Sequence, residues 1–322
     1  LTSTQPRHAA ESGTADFNAS DLLRGAARAI GGALAHRARR GVGPGERLPL
    51  NGRVVFITGA AHGLGAEFAR ECYSRGASVS LVGRRLAPVQ ELAEQLGDRA
   101  AALEADVSDF EALHQSAKAT AERFGGIDVV IADAGIAPPS DSILTVDPAE
   151  FERTADIDLL GQWRTVGATL PYVIERRGHI VVIASVYSFI NGFLDASYAA
   201  SNAGVEQLVH ALRVELAPHQ TTAGVAYLGF VDTNLARDVS AKDPIDDIRV
   251  ALPAFVTNPI SAGQAAHAVV NGIAARSSRV GAPGWVLPAA RVRSLLSSLD
   301  AVLTHLIATV RRAEASVHER NR

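Results

Sequence analysis

The stretch Val54-Val55-Phe56-Ile57-Thr58-Gly59-Ala60-Ala61-His62-Gly63-Leu64-Gly65 decides how the rest of the chain is read. Val54 to Ile57 form an unbroken β-branched and aromatic run, the pattern of a parallel strand covered on both faces. Ala66, Phe68, Ala69 and Cys72 then recur on one side at helical spacing. Gly59, Gly63 and Gly65 lie between strand and helix, where glycine lets the backbone turn tightly and approach a ligand. The N–H groups that open a helix suit a pyrophosphate. A glycine-rich turn by itself also describes an ordinary strand-to-helix connection. Here it sits between a buried strand and a helix, where phosphate cradling requires it, so it reads as a nucleotide-binding turn.

Outward from this turn, strand and helix alternate. Further strands are expected at 79–82, 101–103, 127–132, 179–184 and 224–228, with an edge strand at 280–286. Helices are expected at 86–96, 110–124, 198–216 and 262–273. Another long helix starts at Asp147-Pro148-Ala149-Glu150, with Asp as cap and Pro at the first position, and runs through Trp163 towards Leu170. This alternation predicts an α/β fold, a doubly wound parallel sheet with helices on both faces and ligands at the carboxyl ends of the strands.

Composition sets the outer limits. The 322 residues are 47% hydrophobic and 20% charged, as in a globular protein with a large core. The net charge of −3 gives no reason to expect nucleic acid as a partner. Lys118 and Lys242 are the only lysines, so arginine carries almost all the positive charge. The single cysteine, Cys72, excludes an internal disulfide and falls on an apolar helix face. No apolar run has the length of a membrane span and the first residues lack a signal-peptide core, so a cytoplasmic protein is expected.

Residues 1–49 read as an N-terminal extension, with a polar, disordered start and then a basic helix over 20–40. That helix could lie on a membrane surface or pack on the domain. Gly25, Gly31 and Gly32 weaken it as an autonomous helix, which favours packing. Residues 50–290 read as one domain, and the proline-punctuated stretch 232–260 within it as a lid over a pocket. Residues 291–322 carry a C-terminal amphipathic helix. Both terminal helices would offer apolar surface to another subunit, and a homodimer or homotetramer is expected.

The Thr58-Gly59-Ala60-Ala61-His62-Gly63-Leu64-Gly65 segment resembles the cofactor turn of the short-chain dehydrogenase/reductase family. Other landmarks between about 50 and 290 agree. Asp106-Val107 follows the third strand, where the family contacts adenine, and Ala132-Asp133-Ala134-Gly135 stands where relatives usually have Asn-Asn-Ala-Gly. Ser185 precedes Tyr198 by the family's usual thirteen residues. Leu228-Gly229-Phe230-Val231-Asp232-Thr233 is similar to the Pro-Gly-x-Val-x-Thr segment that receives the nicotinamide amide. The resemblance implies a Rossmann-type oxidoreductase. Its dinucleotide would be held by Gly59, His62, Gly63, Leu64, Gly65, Asp106, Val107, Ala134, Gly135, Val231 and Thr233. The second strand ends Gly83-Arg84-Arg85, with no carboxylate to hold a ribose 2′-hydroxyl and two guanidiniums suited to a 2′-phosphate. NADP(H) is therefore expected over NAD(H).

In the family a tyrosine moves the proton and a serine holds the substrate oxygen. A lysine one turn later binds the ribose and lowers the tyrosine pKa, and a helix asparagine holds a water in the proton path. Here Ser185 and Tyr198 are in place, but Asn202 replaces the lysine and Asp158 the asparagine; four residues after Tyr198, Asn202 lies on the same helix face and is expected to hydrogen-bond the ribose of the cofactor without carrying charge. A cation ~5 Å from the phenolate at an effective dielectric of ~20 is worth roughly 3 kcal/mol, or about two pKa units. Two functions are left open. One is an NADP-dependent oxidoreductase acting on an apolar alcohol or ketone, slowed by the missing lysine. The other is a catalytically impaired dinucleotide-binding protein serving as sensor, scaffold or subunit. Non-redox proton chemistry on the same fold has no positive support in the sequence.

Overall fold

The first strand, β1 (Val54–Thr58), is buried along its whole length. Its side chains alternate between two cores: Val55 and Ile57 join one cluster and Phe56 the other, so β1 is covered on both faces. The computed structural model describes residues 47–190, 192–233 and 257–293, together with Ala315 and Glu319, all within one compact unit, Arg47–Arg322.

From β1 the chain turns into α1 (Gly63–Ser74) and continues as β2 (Ser78–Gly83), α2 (Leu86–Leu96), β3 (Ala100–Glu104), α3 (Phe110–Phe124) and β4 (Val129–Ala132). Helix α4 (Pro148–Ala155) runs through a π-helical turn, Asp156–Gly161, into α5 (Gln162–Glu175). Then come β5 (His179–Ser185), α6 (Ala196–Glu215), β6 (Thr222–Leu228), β7 (Val231–Asp232), β8 (Ile260–Ser261), α7 (Ala262–Ala274), β9 (Arg279–Ala282) and α8 (Val286–Arg291). Among the described residues, seven strands form a parallel sheet in the order β3-β2-β1-β4-β5-β6-β9. One face packs on α1, α2 and α7 through Phe68, Leu92 and Val269, the other on α3, α5 and α6 through Leu113, Val166 and Val209. The fold is the doubly wound Rossmann-type sheet.

Strand order reverses between β1 and β4, and the register there sets the site. Thr58 pairs with Val82 on one side and Ala132 on the other, so Gly59, Gly83 and Asp133 emerge level at the carboxyl edge. This is the crevice where such sheets bind ligands. On the far side Ser185 pairs with Leu228, and Leu228 with Ala282, bringing the end of β5 and the segment after β6 to the same edge.

Differences from the sequence pattern have local causes. The fourth strand starts at Val129 and not at 127, and Asp128 beside it takes the Val54 N–H and the Arg53 guanidinium on a buried carboxylate. The expected strand at 280–286 ends at Ala282, because Pro283 and Gly284 turn the chain and Val286 opens α8. The long helix from Asp147 is capped as expected, with Asp147 accepting from Ala149 N, but the π-turn interrupts it. The expected helix over 20–40, most of the lid at 232–260 and the helix beyond 293 lie outside the described residues. At the two ends of the stretch expected to be a lid, β7 and β8 pair in parallel, Val231 with Ile260 and Asp232 with Ser261.

Candidate active site

The glycines of the first turn are explained by contacts. A Cβ on Gly59, whose φ is +73°, would lie 2.9 Å from the Ala134 backbone, so only glycine lets the β1 and β4 turns touch. On Gly65 a Cβ would collide with the Gly59 carbonyl, and glycine there lets α1 pack tightly on its own turn. His62 occupies the N-cap in extended backbone without a side-chain hydrogen bond to the helix. The start of α1 therefore faces the cavity with no side chain capping it, which fits a pyrophosphate.

A cavity of about 470 Å³ runs along the carboxyl edge. It is lined by Gly59, His62, Gly63, Leu64, Ala134, Gly135, Asp158, Ser185, Tyr198, Asn202, Val231 and Thr233, bringing most of the expected site residues together. Gly65 lies behind this wall. Arg84, Arg85, Asp106 and Val107 do not line it. Arg84 and Arg85 are exposed at the end of β2, where the adenosine end of a dinucleotide would emerge. Asp106 accepts from the N–H and hydroxyl of Ser108, closing its own turn. Val107 is buried against the π-turn, 2.7 Å from where a Cβ on Gly161 would stand. The glycine turn and the open helix start together fit a nicotinamide dinucleotide, whose nicotinamide would supply or accept hydride.

Asp158 projects from the π-turn into this cavity. Its Oδ1 accepts the Ile136 N–H at 2.8 Å, while its Oδ2 is buried with no partner. Burial pushes its pKa up to about 7, partly opposed by the Ile136 hydrogen bond. A carboxyl that is largely protonated below neutrality is uncharged and pairs a carbonyl acceptor with a donor, as an asparagine amide does, though with one donor where the amide has two. The charge that the sequence places beside Tyr198 is thus absent on the acid side of pH 7.

Tyr198 stands in the first turn of α6, and its phenol pKa is raised by burial first and then by the charges of Asp158 and Asp195. Hydrogen bonds from the Ser185 and Asn202 side chains oppose this. The Tyr187 ring meets Tyr198 edge-on at 5.7 Å. Asn202, four residues on, is 5% exposed and committed to protein groups. Its Oδ1 accepts the Ser185 N–H at 2.7 Å and its Nδ2 donates to the Tyr198 carbonyl at 2.9 Å. It clamps Ser185 to the helix that carries Tyr198.

Sequence reading did not single out Gln162, Asp133 or Asp195 as site residues, and all three line the cavity. Gln162 Nε2 donates to the Ala134 carbonyl at 3.2 Å, and Asp195 accepts from the Ser140 hydroxyl. Burial pushes the Asp133 carboxyl well above the usual range. Their spacing held a signal: Gln162 follows Asp158 by four residues, and Asp195 precedes Tyr198 by three.

The sheet, the glycine turn and the serine–tyrosine pair define a dinucleotide-binding oxidoreductase fold. The sequence model of the family described as short chain dehydrogenase matches residues 53–244. An uncharacterized oxidoreductase of Staphylococcus saprophyticus is 30% identical over 234 residues, covering 70% of this chain and 98% of that protein. The 11-beta-hydroxysteroid dehydrogenase A of Sesamum indicum is 33% identical over 192 residues, 58% of this chain and 54% of that one. The solved 3-ketoacyl-(acyl-carrier-protein) reductase from Brucella melitensis, complexed with NADH, matches with a TM-score of 0.64 at 25% identity, covering 72% of this chain and 97% of that one. This chain belongs to the short-chain dehydrogenase family.

Proposed function

We propose that the protein is an NADP-dependent oxidoreductase that interconverts an apolar ketone and alcohol, with Tyr198 as the proton donor. The observation that carries this reading is the placement of the Tyr198 phenol beside the Ser185 hydroxyl in the cavity that the glycine turn opens into. Ile136, Pro138, Val186, Ile190, Leu228 and Phe230 give that cavity apolar walls. The similarity to a steroid dehydrogenase and a ketoacyl reductase supports a carbonyl substrate with hydrocarbon around it. In reduction, the Tyr198 O–H passes its proton to the substrate oxygen, and the Ser185 hydroxyl donates to the same oxygen and holds it in place. A screen of NADPH oxidation across apolar ketones, run beside an NADPH-binding titration, tests the reading.

A second reading is favoured by one observation. Asn202, where the family has its lysine, spends its amide on Ser185 and Tyr198, and no lysine or arginine lines the cavity among the described residues. On that reading the protein binds the dinucleotide without turnover.

Two predictions follow from the charges. Arg84→Ala should weaken NADPH binding about tenfold or more, the loss of a charge-assisted phosphate contact of ~1.5–3 kcal/mol, and leave NADH binding nearly unchanged in a fluorescence titration. The second concerns pH. Asp158 is neutral below its pKa of about 7 and charged above it, and its charge raises the Tyr198 pKa further, making the phenol a weaker acid. Reduction should therefore slow as pH rises through about 7, and Asp158→Asn should remove that step from the pH–rate profile.

We also propose a homodimer or homotetramer in the cytoplasm, paired through α5 and α6. Phe110, Leu160 and Trp163 expose 43%, 42% and 50% of their surface on and beside α5, and no helix among the described residues is long and apolar enough to cross a membrane. Light scattering at micromolar concentration should give at least twice the mass of one chain.

A further inference from the structure

The π-turn Asp156–Gly161 is held by more than its own backbone. Arg164, in the first turn of α5, reaches back to Asp156. Its Nη1 donates to the Asp156 carbonyl at 3.2 Å and its Nη2 to the Asp156 carboxylate at 2.7 Å. Residues eight apart on a straight α-helix lie about 12 Å apart along the axis, so this pair is not a regular helical contact. The i→i+5 pairing of a π-turn puts more residues into each turn and brings the two closer. At the other end of the turn the Thr165 hydroxyl donates to the Gly161 carbonyl at 2.8 Å. The Arg164 side chain is 17% exposed and makes two charge-assisted contacts, which sets it apart from a solvated surface ion pair.

The turn decides what meets the loop after β4. Asp158, within it, accepts the Ile136 N–H, and Gln162, just past it, donates to the Ala134 carbonyl. A Cβ on Gly135, between those two partners, would stand 3.4 Å from Asp158 Oδ1. Ala134, Gly135 and Ile136 all line the cavity. One wall of the site is thus tied to the π-turn by two side chains. Were the turn to become regular α-helix, the residues before it would rotate by about 100° relative to α5. Asp158 would then lose Ile136 and its buried position.

We propose that Arg164 is a positioning residue for the active site: its two bonds to Asp156 hold the π-turn, and the turn holds Asp158 and Gln162 against the 134–136 loop. This rests on the reading of that cavity as the site of an oxidoreductase. Arg164 itself does not line the cavity, so it acts through the residues that do. Asp158 reports on the turn, because burial is the first cause of its raised pKa. The titratable and charged groups around it are the Tyr198 phenol from α6, Asp133, Asp195 and His62 in the same cavity, and Asp156 and Arg164 on its own helix.

The test uses the full chain with isotope-labelled aspartate carboxyl groups followed by NMR, the Asp158 signal being the one lost in Asp158→Asn. In the wild type it should titrate near pH 7. Arg164→Met keeps much of the apolar stem and removes the donors. Its Asp158 midpoint should fall by about one pH unit or more, towards the ~3.9 of a solvated aspartate, and NADPH affinity should drop severalfold in a fluorescence titration. Asp156→Asn keeps both acceptors and should leave the midpoint in place. Asp156→Ala keeps the carbonyl alone and should lower the midpoint part of the way, which also tests the proposal if Arg164→Met does not fold. A merely structural Arg164 would lower the melting temperature of Arg164→Met without moving the Asp158 midpoint, and that result overturns the proposal. An unmoved midpoint in Asp156→Ala overturns it equally. If the wild type fails to bind NADPH, the oxidoreductase reading falls and this inference with it. If NADPH binds while the Asp158 midpoint ignores both substitutions, this inference alone is overturned.

Discussion

Tyr198→Phe is expected to lower ketone reduction by ~10³, in the range for loss of a positioned general acid, while NADPH binding is unchanged. The phenol shares the cavity with a second hydroxyl, that of Ser185, which hydrogen-bonds it and can hold the same substrate oxygen. Phenylalanine keeps the ring that packs edge-on against Tyr187, so the fold and the α6 helix remain. Steady-state rates and a fluorescence titration on the same preparation separate the two effects. A variant retaining a tenth or more of the wild-type rate would remove Tyr198 from the proton path.

Asn202→Lys should raise the reduction rate of a neutral ketone about thirtyfold. It places an ammonium one helical turn from Tyr198, and a barrier lower by roughly 2 kcal/mol corresponds to that factor. The pH optimum should move, because the phenol becomes a stronger acid. The structure adds a cost to this gain. Asn202 Oδ1 is the acceptor of the Ser185 N–H at 2.7 Å, and lysine has no acceptor to replace it. An unpaired buried N–H costs about 1–3 kcal/mol, so the variant should melt at a lower temperature than the wild type even as it turns over faster. Rate and melting temperature moving in opposite directions distinguish this account from simple damage to the site, in which both fall. Adding Asp158→Asn should help less than Asn202→Lys did, since below pH 7 most of its charge is already absent.

Much of the architecture was legible because it depends on local pattern. The buried run Val54–Ile57 and the helical spacing of Ala66, Phe68, Ala69 and Cys72 lie where the structure has β1 and α1. The helices at 86–96 and 110–124 agree to the residue, the latter between an Asp109 cap and the left-handed Gly125. Positions set by long-range packing were less legible. Nothing in Asp156-Ile157-Asp158-Leu159-Leu160-Gly161 marks a π-turn, which coincides with packing of Leu159 on Gly204 and Val107 on Gly161. That turn aims Asp158 into the cavity.

Chemical state was the least legible. The sequence places an aspartate near Tyr198 but not the burial that keeps it protonated up to about pH 7. Spacing places Asn202 on the face of Tyr198, which suggested a ribose ligand. The structure instead has its amide joining Ser185 to α6, because β5 ends against that helix. Spacing put Gln162 one turn after Asp158, but its contact was not legible for the same reason: its partner Ala134 lies twenty-eight residues away in the chain.

The central claim, that Tyr198 works as an acid in a dinucleotide-loaded cavity, is tested most directly by the initial rate of NADPH oxidation with a panel of apolar ketones at pH 6.5, where most of Asp158 is neutral. The account predicts measurable turnover that falls when the pH is raised to 8. NADPH binding without turnover of any ketone, in the wild type and in Asn202→Lys alike, would contradict it and leave a protein that binds the dinucleotide without using it.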